Sequence, residues 1–216
     1  MKGNILKFPM KALEIFGIDG AIFYTSSSQI ISAIGGLITV FLIASFMTPA
    51  TQGFYYTFVS VLAIQTFFEL GLGGIINQFT AHEMAHLRFY SISQIEGEER
   101  NLSRLSSLLH FCVKWYAIAA GLLFLCLITV GFWYFNKFGK QYPDVNWQMP
   151  WILVSLGSGL NLLISPWMSV LQGMNKVKEM AKLALIKQLI ILPITWVSLI
   201  IGAQLYIPVI NSLAGF

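Results

Sequence analysis

FMTPATQGFYYTFVSVLAIQTFFELGLGGIINQFTAHEMAHL, residues 46–87, reads as the close of one apolar helix, a tight turn, a second apolar helix and a polar exit. Crossing the hydrocarbon core of a bilayer takes about 20 mostly apolar residues. Phe54–Gln78 supplies such a run with one charged residue, Glu69. The link before it, Thr48–Gly53 (TPATQG), is short and carries Pro and Gly, so it predicts a tight hairpin between two spans.

The same grammar repeats outward from this stretch. Spans are expected at about 21–47, 54–78, 112–135, 149–171 and 183–206, and VINSLAGF after Pro208 reads as the start of a sixth. The predicted fold is all-α: a polytopic transmembrane helical bundle of five complete spans plus the start of a sixth. Residues 1–20 form a basic amphipathic segment on the membrane surface, and 21–216 the transmembrane domain. Composition agrees, since 56% of the residues are hydrophobic and only 10% charged, against about 25% charged in soluble domains. So few charges do not cover a water-facing surface. A net charge of +4, widely dispersed, gives no footing for nucleic acid. Met1–Asp19 is interrupted by Lys2, Lys7, Lys11 and Glu14 and lacks the apolar run of a signal peptide. Cys112 and Cys126 fall on one predicted helix, about 21 Å apart at 1.5 Å per residue, too far for a disulfide.

Lys and Arg alternate between the links. One side holds Lys2, Lys7, Lys11, Arg88, Arg100, Arg104, Lys176, Lys178 and Lys182; the other holds Lys137 and Lys140. This bias places the N-terminus of a multi-pass chain in the cytoplasm. The intervening links are Ala81–Leu109, long and charged, Asn136–Gln148, polar with Trp and Tyr, and Gln172–Lys182, short and basic. Small residues such as SSSQIISAIGG and LGSGLNLLIS recur inside the spans, where they let helices approach closely.

Polar groups inside the spans are the functional candidates. Glu69 stands well within the second span, where an unpaired charge costs several kcal/mol; it is a proton, cation or substrate contact, or a hydrogen-bonded packing group. Lys114 either snorkels to the headgroups or attracts an anion in a cavity. Gln29, Gln65, Asn77, Gln78 and Asn161 either bond between helices or coat a hydrophilic path. Pro166 and Pro193 are expected kinks.

His82-Glu83-Met84-Ala85-His86 is a literal H-E-x-x-H, a zinc-protease pattern when it lies on a helix. The extended pattern is missing: Leu87, Arg88 and Phe89 follow, and no third ligand stands at a suitable spacing. A solvated helix end is the better reading, with no metal and no enzymatic activity expected.

Residues 46–87 resemble the start of Wzx-type oligosaccharide flippases, of the multidrug, oligosaccharidyl-lipid and polysaccharide exporter superfamily. The likeness is carried by Pro49, by Gly53-Phe54-Tyr55, by Glu69-Leu70-Gly71-Leu72 and by Gln78 through Leu87. It implies transport of an undecaprenyl-pyrophosphate-linked oligosaccharide from the cytoplasmic to the outer leaflet by alternating access, in polysaccharide or lipopolysaccharide biosynthesis, without a cofactor. Such proteins have two lobes of about six helices. The chain matches roughly one N-terminal lobe, so the expected partners are the lipid-linked substrate, membrane lipids and a second transporter half or second copy. The alternative in the same superfamily is an ion-coupled multidrug exporter with Glu69 as the coupling carboxylate.

Overall fold

A computed structural model describes residues 20–69, 71–91, 94–97 and 99–213. The basic segment expected over 1–20 therefore lies outside the described residues, apart from Gly20. Helix α1 runs from Gly20 to Phe46 without a charged residue. Two of its hydroxyls return to its own backbone, Thr39 to the Gly35 carbonyl at 2.7 Å and Ser45 to that of Phe41 at 2.9 Å, which hides them from an apolar surrounding.

TPATQG is a helix start more than a loop. Thr48 caps α2 (Pro49–Leu62): its hydroxyl accepts from the Thr51 N–H at 3.3 Å, and Pro49 takes the first helical position. The Gln52 side chain donates back to the Met47 carbonyl at 3.0 Å, satisfying the exposed end of α1. The second span thus begins at Pro49, ahead of the expected Phe54. It is also broken. After α2 come α3 (Gln65–Glu69) and α4 (Leu72–Met84), with a bend of 43° between the first two and the third.

The segment expected as one long charged link carries a hairpin and the start of a helix. Strands β1 (Leu87–Ser91) and β2 (Gln94–Gly97) form an antiparallel hairpin with Leu87 opposite Gly97 and Phe89 opposite Ile95. Helix α5 then starts at Glu99, well before Cys112, and runs to Phe138. A single 3-10 turn, Gly139–Gln141, leads to α6 (Gln148–Gly173), followed by α7 (Val177–Ile201), a 3-10 turn at Gln204–Tyr206 and α8 (Ile207–Leu213). Helices α6 and α7 continue through Pro166 and Pro193. Four helices, α1, α5, α6 and α7, are long and apolar enough to cross a membrane, and a fifth if the bent α2–α4 run counts as one span. Apart from the hairpin, the described regular structure is helical. Cys112 and Cys126 are both free.

Helices α4, α5 and α6 pack together, with α2 and α8 closing the same body. Its centre is aromatic: Trp151 and Phe58 are fully buried, their rings 4.8 Å apart, and Phe135 stands 5.1 Å from Trp151. The Trp151 indole N–H donates to the Leu127 carbonyl at 3.1 Å, across the bare face of Gly131. Helix α8 is tied in by Asn161, whose amide donates to the Ser212 carbonyl at 2.6 Å and to that of Gly157 at 2.9 Å.

Helices α1 and α7 form a pair that runs in the same direction. Gly20 lies by Lys178, Gln188 donates to Ser32 at 2.9 Å, Leu192 seats on Gly35, and Trp196 donates to Thr39 at 3.0 Å. Gln204 closes the pair on the Phe46 carbonyl at 2.8 Å. The bundle has a basic end, with Arg104 and Lys178, and an aromatic end, with Phe54 and Trp147.

Candidate functional site at the broken second span

The break follows from local chemistry. Past Leu62 the backbone tightens into bonds three residues apart, Ile64 to Val61 at 3.1 Å, Thr66 to Ala63 at 3.2 Å and Phe67 to Ile64 at 3.0 Å. Between Glu69 and Leu72, Gly71 takes φ 68°, a left-handed conformation that side chains resist and glycine adopts freely. No side chain caps the first turn of α4. In lipid an irregular backbone of this kind persists where protein or a wet cavity satisfies it.

Polar groups from three helices gather beside the break. The Gln65 amide donates to Glu69 Oε1 at 3.3 Å, both residues being half-buried. Tyr116 on α5 is 1% exposed and its hydroxyl takes no hydrogen bond of good geometry. The Ser165 side chain of α6 lies beside that hydroxyl. One turn on, the Ser169 hydroxyl donates to the Ser165 carbonyl at 3.2 Å, and a Cβ on Gly73 would stand 3.0 Å from Ser169 Oγ. Ser165 lies eight residues from the end of α6, about 12 Å at 1.5 Å per residue, so the cluster is well below the basic end.

The five residues singled out from the sequence do not converge. Glu69 alone occupies this cluster. Asn161 is engaged in holding α8. Asn77 is half-buried on α4, its carbonyl pressed by Gly173. Gln29 is exposed on α1. Lys114 is exposed and borders a groove of about 520 Å³ with His110 and Trp167. Residues 115–136 of α5 carry no charge, and at 1.5 Å each they extend about 33 Å, close to the hydrocarbon thickness. Lys114 and Lys137 therefore bracket that layer. Lys137 sits over the Trp133 and Phe138 rings, 5.2 and 5.4 Å from their centres.

Three contributors escaped the sequence reading. Nothing in a hydropathy profile picks out Tyr116 or Ser165, because their role comes from packing against α3. Lys187 was legible: of thirteen Lys and Arg, eleven fall on the two sides counted, and Lys187, like Lys114, stands inside a span. It is exposed on α7, five residues beyond Lys182, next to the Gln188 that bonds Ser32.

The H-E-x-x-H segment closes α4 at the basic end. His82 and His86 are exposed, with ring centres 5.8 Å apart. Glu83 points the other way: its side chain is 3% exposed, with Oε1 3.8 Å from Arg104 and 3.7 Å from His82 Nδ1. A general base has to reach the water it activates; this carboxylate instead joins α4 to α5. Arg104→Ala should leave it buried without its cation and lower stability by about 1–3 kcal/mol, read as a fall in thermal midpoint in detergent. Glu83→Leu added to Arg104→Ala should recover part of that loss, whereas a double variant weaker than the single one would contradict the pairing. Among the described residues, no group of three His, Cys, Asp or Glu side chains is placed to hold a metal ion.

No family model, curated protein or solved structure gives a significant match to this chain.

Proposed function

We propose that the chain is one lobe of a membrane transporter, and that its cargo is a polyprenyl-pyrophosphate-linked oligosaccharide moved between leaflets of a plasma membrane. The observation that carries the transport reading is the second span, broken at glycine beside an intramembrane carboxylate. Discontinuous helices of this kind are where membrane transporters place their binding sites, and an ionisable group at that depth is a functional candidate by default. The cargo rests on the resemblance of residues 46–87, and the charge bias of the links supports a cytoplasmic basic end. Alternating access needs two bodies, so the lobe works against a second half or a second copy.

In this reading Glu69 belongs to the path, while Lys114 and Lys187 lie at and just below the cytoplasmic headgroup level, where cations suit a pyrophosphate. Purified protein in nanodiscs should bind an undecaprenyl-pyrophosphate-linked oligosaccharide at least tenfold more tightly than undecaprenyl phosphate without sugar. Lipophilic cations binding more tightly than either would instead favour the multidrug exporter. Paired with its second half in liposomes, the lobe should support flipping, and Glu69→Gln should reduce the rate about tenfold or more, the worth of one charge-assisted hydrogen bond. A variant that flips at the original rate would make Glu69 a packing group.

A further inference from the structure

The aromatic end of the bundle carries a cavity of about 560 Å³, inside the roughly 300–1,000 Å³ typical of small-molecule sites. Three stretches of chain build it: the close of α5 at Phe135 and Asn136, the turn and link that lead into α6 at Gln148, and Tyr206 ahead of α8. Its inner wall is aromatic, since Phe135 is 2% and Trp147 7% exposed and their rings stand 5.2 Å apart. Its rim is polar, with Asn136, Asn146 and Gln148 exposed.

The polar groups of this cavity are unengaged by the fold. Trp151 and Trp196 each donate their indole N–H to a protein oxygen. Trp147 is as deeply placed, yet among the described residues its Nε1–H has no acceptor. Buried donors nearly always find a partner, and a donor on a cavity wall finds it in whatever fills the cavity. The Asn136, Asn146 and Gln148 amides likewise make no hydrogen bond among the described residues, and no side chain caps the start of α6.

Hydrogen-bond chemistry selects the ligand. An amide carries donors and an acceptor side by side, so three amides suit a ligand that offers both on neighbouring atoms. Vicinal hydroxyls have that pattern, whereas a phosphodiester offers acceptors alone and a quaternary ammonium neither. Water answers the amides but not the aromatic wall, which is better covered by an apolar face such as the C–H face of a pyranose. Among the described residues that line the cavity there is one cation, Lys140, and no Asp or Glu, so an anionic substituent is accepted and a cationic one is not. We propose that this cavity is a saccharide site, in which the Asn136, Asn146 and Gln148 amides and the Trp147 N–H bind hydroxyls and Tyr142 and Tyr206 flank the sugar ring. The assignment rests on the chemistry of the cavity and is independent of the lipid-linked cargo, because the ligand is the sugar alone, met at the end opposite the basic one.

A microarray of lipid-free oligosaccharides, neutral, acidic and with free amines, probed with the full chain in nanodiscs, tests it. The chain should bind neutral or acidic glycans saturably and discriminate against those with free amines. Titrated in solution with the glycan that gives the strongest signal, Asn146→Ala combined with Gln148→Ala should lose about tenfold in affinity. Trp147→Phe should lose about threefold or more, the worth of one neutral hydrogen bond. Both amides of the double variant are exposed and bond to nothing in the fold, so its thermal midpoint should equal the original, which separates a lost contact from a lost fold. Absence of saturable glycan binding by folded protein overturns the proposal, as does a double variant with the original affinity. A blank array with phospholipid that co-purifies with the original chain and not with the double variant also overturns it, in favour of a lipid headgroup. Free-glycan binding without binding of the lipid-linked form sinks the cargo assignment and leaves this site standing; lipid-linked binding that is unchanged in the double variant, with free glycans silent, does the reverse.

Discussion

Trp151→Ala should be the most damaging single change in the core, lowering stability by about 3 kcal/mol or more. The indole is fully buried, donates to the Leu127 carbonyl at 3.1 Å and meets Phe58 and Phe135 edge-on at 4.8 and 5.1 Å. In a bilayer the loss is not mainly one of hydrophobic transfer, because lipid is as apolar as the core. What is lost is dispersion contact, the aromatic pairs, each worth about 0.5–1.5 kcal/mol, and a hydrogen bond, with a cavity left against Gly131. Denaturation in mixed micelles should show the shift. Trp151→Phe should keep most of the packing and forfeit the hydrogen bond, so it should fall between. If the alanine variant unfolds with the original midpoint, the aromatic cluster is not the centre of the fold.

Gly173→Val should separate α4 from α6. A Cβ at position 173 would stand 2.6 Å from the Asn77 carbonyl oxygen and 2.6 Å from Thr80 Cβ. Neither atom can swing aside, since one is backbone and the other is the root of a fully buried side chain. Overpacking commonly costs about 1–3 kcal/mol, and here the helices themselves have to part, so the effect should reach the top of that range or pass it. Gly74→Ala is the matched control. Nothing lies within 4 Å of a Cβ there, and alanine favours the helix by about 1 kcal/mol over glycine. Loss of monodisperse protein for the first and a raised midpoint for the second is the expected contrast in detergent. Equal behaviour of the two would remove the close crossing from the account.

Much of the architecture was legible because a bilayer imposes a length on apolar runs. The cores of α1, α5, α6 and α7 follow from that requirement alone. The ends were harder. Thr48 and Pro49 together read as a turn, but they are also a helix cap, and the cap is what the chain uses. The start of α5 at Glu99 was hidden because charged residues can continue a helix into water as readily as end it. The break at Glu69 was half visible: Gly71, Gly73 and Gly74 stand directly after it in the sequence, whereas a single span was expected. Glu69 drew attention because its charge is local information, but Tyr116 and Ser165 enter only through helix packing, which composition does not encode. Asn161 shows the converse, a polar residue inside a span whose amide is spent on the backbone of α8.

The pairing of α1 with α7 sets a schedule for biogenesis. Thr39 and Trp196 are partners 157 residues apart, and Phe46 and Gln204 are 158 apart. At about 5–20 residues per second of synthesis, α1 waits roughly 8–30 s in the bilayer before α7 emerges. During that interval Ser32, Thr39 and the bare face of Gly35 have no neighbour from α7. Helix α1 has to be apolar enough to reside alone in lipid and polar enough to recognise one later arrival, which makes it a docking post claimed by a partner 157 residues further along the chain.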